Sequence, residues 1–154
     1  MGIDLGAALP ILMPRAIAWA GGQAAVSVQR GLLLPPGLVQ LAQHVKVQHP
    51  ERIRVDIVDA MPLPDDELLR AAASQVGLFG SNTAGLTLGY AVLIKRGCEN
   101  DTRLLSHEFR HVSQYEACGS IEAFLMVQLR HLVAYGYEDS PFEVDARAHE
   151  YHGA

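Results

Sequence analysis

The 154-residue chain reads as a single α+β domain. Three observations predict that class. RIRVDIV, residues 52–58, alternates apolar Ile53, Val55 and Ile57 with Arg54 and Asp56, the pattern of a half-buried strand. GLTLGYAVLIK, residues 85–95, places Leu86, Leu88, Tyr90, Val92 and Ile94 on one face of a second strand. From Asn100 onward the apolar period becomes helical and stays so, broken only by glycines.

The elements follow in order. Pro14 to Arg30 can form a helix with Ile17, Ala20 and Ala24 on one face, weakened by Gly21-Gly22. Pro35-Pro36-Gly37 breaks the chain, and Leu38 to Val47 reads as a short helix. Pro62 and Pro64 end the first strand. Asp65 caps a helix running to about Val76, closed by Gly77. Gly97 stops the second strand. Three helices complete the chain: about Thr102 to Cys118, ended by Gly119; about Ile121 to Tyr135, ended by Gly136; and one beginning at Pro141.

Composition excludes several classes. The chain is 49% hydrophobic and 19% charged, which argues against disorder. Net charge is −5 and no Lys/Arg-rich run appears, so no nucleic-acid partner is expected. Ala7 to Val26 is apolar but carries Pro10, Pro14 and Arg15, and no unbroken apolar run of about 20 residues exists to span a membrane. Asp4 stands where a signal peptide carries positive charge. Cys98 and Cys118 are too few for a disulfide framework. The expectation is a soluble, bacterial-type cytoplasmic protein.

LLSHEFRHVSQYE, residues 104–116, carries the chemistry. On a helical wheel Leu105, Phe109 and Val112 form one apolar stripe, and His107, His111, Gln114 and Cys118 another. Ser106, Arg110 and Ser113 cluster on a narrow polar side. So little polar surface implies a mostly buried helix whose histidines face inward or into a cleft. Residues i and i+4 lie one above the other, so the two rings can converge on one ion. Glu108 is turned 100° from His107: badly placed as a third ligand, well placed to hydrogen-bond a water held there. This is the His-Glu-x-x-His logic of zinc hydrolases; the bland alternative is two histidines that merely share a helix.

A catalytic zinc takes three protein ligands and keeps a fourth position for water. The downstream candidates are Cys118, Glu122, Asp139, Glu143, Asp145 and His149. Ala117 stands where a metzincin carries its third histidine, which excludes that class. Cys118 lies two turns beyond His111, about 10 Å along the axis and too far to share the ion. Glu143 falls in SPFEVDARAHE, residues 140–150, where Ser140-Pro141-Phe142-Glu143 is also a capping box. Residue pattern alone leaves Glu143 evenly divided between ligand and cap.

HEFRH followed by a separate helix carrying E-x-D-A resembles the gluzincin clan of zinc metallopeptidases. The nearer resemblance is to short single-domain bacterial proteins, the minimal gluzincins, through GLTLGYAVLI, LLSHEFRHVSQYE and GYEDSPFEVDA, and it covers about residues 50–150. It implies a zincin-like fold; along the single domain the elements then divide into an N-terminal helical segment (1–50), the strands and a helix (51–97), and the metal-binding helices (98–154). It implies zinc held by His107, His111 and Glu143, Glu108 as general base, and the strand at 85–95 as the edge that pairs with an extended peptide or protein substrate. Two positions depart from the clan. Arg147 stands where many members carry an aspartate that orients a histidine, and Asp145 replaces the second glutamate of E-x-E-A.

Tyr115, Tyr135 and Tyr137 are candidate oxyanion donors, each weighed against simple packing. The reading is a small zinc-dependent hydrolase, a metallopeptidase. The rival is a non-catalytic zinc-stabilised binding or structural module, which has no need of Glu108.

Overall fold

Four strands form one sheet in the order β1-β2-β4-β3: β1 (Leu32–Leu33), β2 (Arg54–Val58), β3 (Gly85–Leu88) and β4 (Ala91–Lys95). The computed structural model describes residues 2–80 and 82–153. Six α-helices accompany the sheet among these residues: α1 (Leu5–Arg30), α2 (Pro36–His44), α3 (Glu67–Gln75), α4 (Thr102–Cys118), α5 (Ile121–Asp139) and α6 (Pro141–Ala148). The class is α+β in one small domain, as the sequence predicts. None of the described helices is long and apolar enough to cross a membrane.

The sequence reading of residues 85–95 as one strand is corrected. They form a hairpin, with Leu88 paired to Ala91 and a two-residue turn at Gly89-Tyr90. Gly89 has φ +66°, a left-handed value that hairpin turns reserve largely for glycine. The turn changes which side chains share a face. Gly85 and Thr87 now lie opposite Ile94 and Val92, while Leu86 and Leu88 lie opposite Leu93 and Ala91. Val92 and Ile94 pack into a core with Leu105, Phe109 and Val112 of α4. Leu88, Ala91 and Leu93 pack instead against Ala20 and Ala24 of α1. The sheet is therefore covered on both sides, and β3 is its edge beneath α4.

β2 also departs from simple alternation. It pairs parallel to β4 and is covered on both faces, so Asp56 is buried and neutralised by Arg30 at 2.8 Å. Residues 50–52 form a 3₁₀ turn rather than part of the strand.

α1 begins nine residues before the expected start and carries Pro10 and Pro14 inside it. Each interior proline forfeits a backbone bond, at a cost of about 3 kcal/mol. Offsetting this, Leu12, Ala16, Ala20 and Ala24 recur every fourth residue and are all buried. Asp4 caps the helix by accepting from Ala7 N–H, and Gln75 of α3 bonds Ile3 through both its N–H and its C=O. Smaller shifts follow local chemistry. Asp66, not Asp65, caps α3, accepting from Leu69 N–H. α2 spans 36–44 rather than 38–47, because Lys46 takes φ +77° and turns Val45 and Val47 into the core.

The C-terminal helices hold to expectation. α4 is capped by Asp101 and closed by left-handed Gly119. α5 loses helical geometry at Gly136, φ +77°, and α6 starts at Pro141.

Candidate metal centre

The apolar stripe of α4 fixes the helix against the sheet. With Leu105, Phe109 and Val112 fully or nearly fully buried there, His107 and His111 turn toward α6. Their rings lie 4.9 Å apart at 79°. α6 brings Glu143 between them: one carboxylate oxygen is 3.1 Å from His107 Nε2, the other 2.9 Å from His111 Nε2. One ligand atom from each residue falls within 4.8 Å of the others, so the three can hold a metal ion.

Glu143 thereby resolves in favour of the histidines. Ser140 makes no side-chain cap to α6; its hydroxyl donates back to the Tyr137 carbonyl. The Glu143 carboxylate is buried, and two imidazoles offer it two strong contacts where a cap offers one.

Both outer ring nitrogens are engaged. His107 Nδ1 lies 2.8 Å from Glu150 Oε2. His111 Nδ1 lies 2.7 Å from Gln114 Oε1, while Gln114 Nε2 donates to Asp145 Oδ2 and to the Phe142 carbonyl. Since the Gln114 amide spends its N–H groups on α6, its oxygen must accept from His111 Nδ1–H. That leaves Nε2 of each ring as the nitrogen directed at the Glu143 carboxylate, where a metal ion would take the place of the shared proton.

The electrostatics agree. Burial disfavours a charged His111, but the hydrogen bond and charge of Glu143 outweigh it and raise its pKa to about 9. His107 is raised by the same contest between burial and Glu143. Burial would raise Glu143, yet its bonds to both histidines hold it far below the usual carboxylate range. A buried carboxylate with two converging imidazoles is a site prepared for positive charge.

Glu108 points elsewhere, toward the sheet edge. Thr87 Oγ1 donates to Glu108 Oε1 at 2.8 Å. A Cβ built on Gly85 would stand 2.8 Å from Glu108 Cγ, so only glycine admits the side chain there. Tyr137, in the kink after Gly136, sits beside the cluster: burial raises its pKa well above the usual phenol range, and the charges of Glu143 and Glu108 push the same way. Tyr115 is turned away against Tyr90, 5.2 Å between centroids, and Tyr135 is largely exposed. Of the three tyrosines only Tyr137 reaches the site.

The remaining third-ligand candidates do not join the histidines. Asp145 instead forms an ion pair with Arg110 at 2.8 Å and receives Gln114, so it buttresses the cluster. His149 bonds the Asp145 carbonyl. Cys98 and Cys118 are unpaired thiols. The polar side of α4 is not free surface either: Ser106 is fully buried and accepts from Tyr151 N–H in the C-terminal tail.

Four residues with a place here had no assigned role in the sequence reading: Gly85, Thr87, Gln114 and Glu150. Gln114, three residues after His111 on the same helix face, was open to a spacing argument. The others meet α4 only through tertiary packing.

No protein-family model matches the chain, and no curated protein or solved structure matches it at the similarity a match requires. Fold and site together define a small α+β protein with a His/His/Glu group, buried at His111 and Glu143 and half-buried at His107, able to hold a metal ion.

Proposed function

We propose that the chain is a zinc-dependent hydrolase acting on peptide bonds, with His107, His111 and Glu143 as zinc ligands and Glu108 as general base. One observation carries this reading. The three ligand atoms converge, while a second buried carboxylate, Glu108, is held beside them by Thr87 rather than joining them. Two imidazole nitrogens and one carboxylate are a donor set of catalytic zinc sites. Zinc bound there supplies Lewis acidity, polarising a carbonyl and acidifying water.

The protein's own groups do the rest. Glu108 takes the proton of the attacking water and delivers it to the leaving amine nitrogen. Tyr137, kept protonated by burial and by its carboxylate neighbours, donates to the oxygen that gains charge. The free edge of β3, whose Thr87 already touches Glu108, offers its backbone to an extended peptide. The likeness to minimal gluzincins supports the same assignment. Two free cysteines suit a reducing compartment, and we place the activity in the cytoplasm.

The rival is a non-catalytic zinc-stabilised module, favoured by the way the cluster ties α4 to α6. It offers no account of a carboxylate kept dry at the sheet edge. The test is metal content together with cleavage of a mixed peptide library read by mass spectrometry. About one zinc per chain with cleavage sustains the hydrolase; full zinc without cleavage leaves the module.

A further inference from the structure

A cavity of about 160 Å³ lies between α1, α3 and α5 and reaches the metal centre, where His111, Glu143, Tyr137 and Thr87 form part of its wall. The rest is almost wholly apolar, including Leu12, Trp19, Leu69 and Leu129. Well-packed cores hold few voids larger than a water molecule, and an apolar cavity of about 150 Å³ is known to accept benzene.

One polar side chain interrupts the apolar wall. Gln128 of α5 is 7% exposed and lines the cavity, yet its Oε1 has no hydrogen-bond partner among the described residues. A buried amide without a partner is costly and uncommon. Peptide groups satisfy such an amide well, since each carries both a donor and an acceptor.

We propose that this cavity binds a phenyl-sized apolar side chain of a peptide substrate, with the Gln128 amide hydrogen-bonded to that residue's peptide group. The inference rests on the hydrolase reading for the word substrate, and on the cavity itself for the ligand class. His111 and Glu143 line the same cavity, so a peptide whose side chain fills it has its backbone within reach of the metal-ligand group. Bulky apolar residues would then be selected next to the scissile bond, while glycine, with nothing to fill the space, would be disfavoured.

Trp19 is the only tryptophan of the chain and lies in the cavity wall, so its fluorescence reports occupancy without any turnover. The probes are N-acetylphenylalaninamide, N-acetylglycinamide and toluene, titrated into the zinc-loaded full chain and its Glu108→Gln variant. The expected result is a saturable Trp19 change with the phenylalanine probe and with toluene, and none with the glycine probe. Ala72→Leu or Ala16→Leu, each adding a side chain to the cavity wall, should weaken both active probes about tenfold or more. Gln128→Met should weaken the phenylalanine probe about fivefold, the scale of one hydrogen bond, and leave toluene unchanged. Two wall positions guard against one variant failing to fold, and the wild-type titration stands without either.

A response that never saturates, or that is equal for the glycine probe, overturns the inference. So does a toluene response with no phenylalanine response. Peptide cleavage without preference for bulky apolar residues, and without a Trp19 change, overturns it while leaving the hydrolase intact. A saturable Trp19 change in a protein that cleaves nothing sustains the cavity as a ligand site and overturns the hydrolase.

Discussion

Glu150 Oε2 lies 2.8 Å from His107 Nδ1, and its other oxygen meets Arg103 at 3.3 Å. Glu150 stands past the end of α6, seven residues after Glu143. Arg147, nearer to Glu143 in sequence, does not reach the histidines: its guanidinium donates to the Glu138 carbonyl. A carboxylate on Nδ1 fixes the ring and raises the basicity of Nε2. Glu150→Gln should weaken metal affinity by about 10- to 100-fold and leave the fold intact. Competition with a coloured chelator measures this, and equal affinities would remove Glu150 from the site.

The three converging residues should act as one unit. His107→Ala, His111→Ala and Glu143→Gln should each weaken zinc binding by well over tenfold, and the zinc-dependent gain in Tm should vanish with it. Elemental analysis with thermal melts, with and without zinc, reads both effects. Full zinc in a Glu143→Gln variant would deny that residue a ligand's role.

Glu108→Gln keeps size and helix propensity while removing the proton acceptor. Its zinc content should equal that of the wild type, and peptide hydrolysis should fall by about 10²-fold or more. A variant as active as the wild type would mean that another group takes the proton.

Gly85 tests the placement of Glu108 from the other side. A methyl group at 85 would sit 2.8 Å from Glu108 Cγ and 2.9 Å from Cδ. Gly85→Ala should displace the carboxylate, lowering kcat by about tenfold or more with zinc content unchanged. Equal loss of zinc would show that the whole site had moved.

The metal-free protein should respond to pH through His111. Its folded pKa, about 9, stands above the ordinary value of 6.5. A group raised on folding contributes stability that is complete below about 6.5 and lost as pH climbs through about 9. The Tm in excess chelator should therefore fall across that interval. Zinc binding, which displaces the same proton, should tighten across it. A Tm that rises from pH 6.5 to 9 would contradict the His111–Glu143 pairing.

Local signals were enough for the helices that carry the site. α4 runs from Thr102 and stops at Gly119 as its pattern indicated, the i, i+4 spacing put His107 above His111, and Pro141 opened α6 where Ser-Pro indicated. Each of these depends on groups within a few residues of one another. The period of α4 even announced its burial, since Leu105, Phe109 and Val112 leave that helix no other way to hide apolar surface.

Tertiary structure decided the rest. Alternation in GLTLGYAVLIK suits one strand as well as a hairpin, and only the pairing of β3 with β4, itself paired to β2, selects the turn that sets Thr87 and Gly85 against Glu108. Glu143 could face its own helix terminus or another helix, and only the meeting of α6 with α4 turned it to both histidines, because a cap needs one helix whereas that contact needs two. Glu150 lies 43 residues from His107, beyond the reach of any helical or strand period. Periodicity records how neighbours along the chain share a face; a site built from a helix, a sheet edge and a tail exists only once apolar burial has pressed those surfaces together.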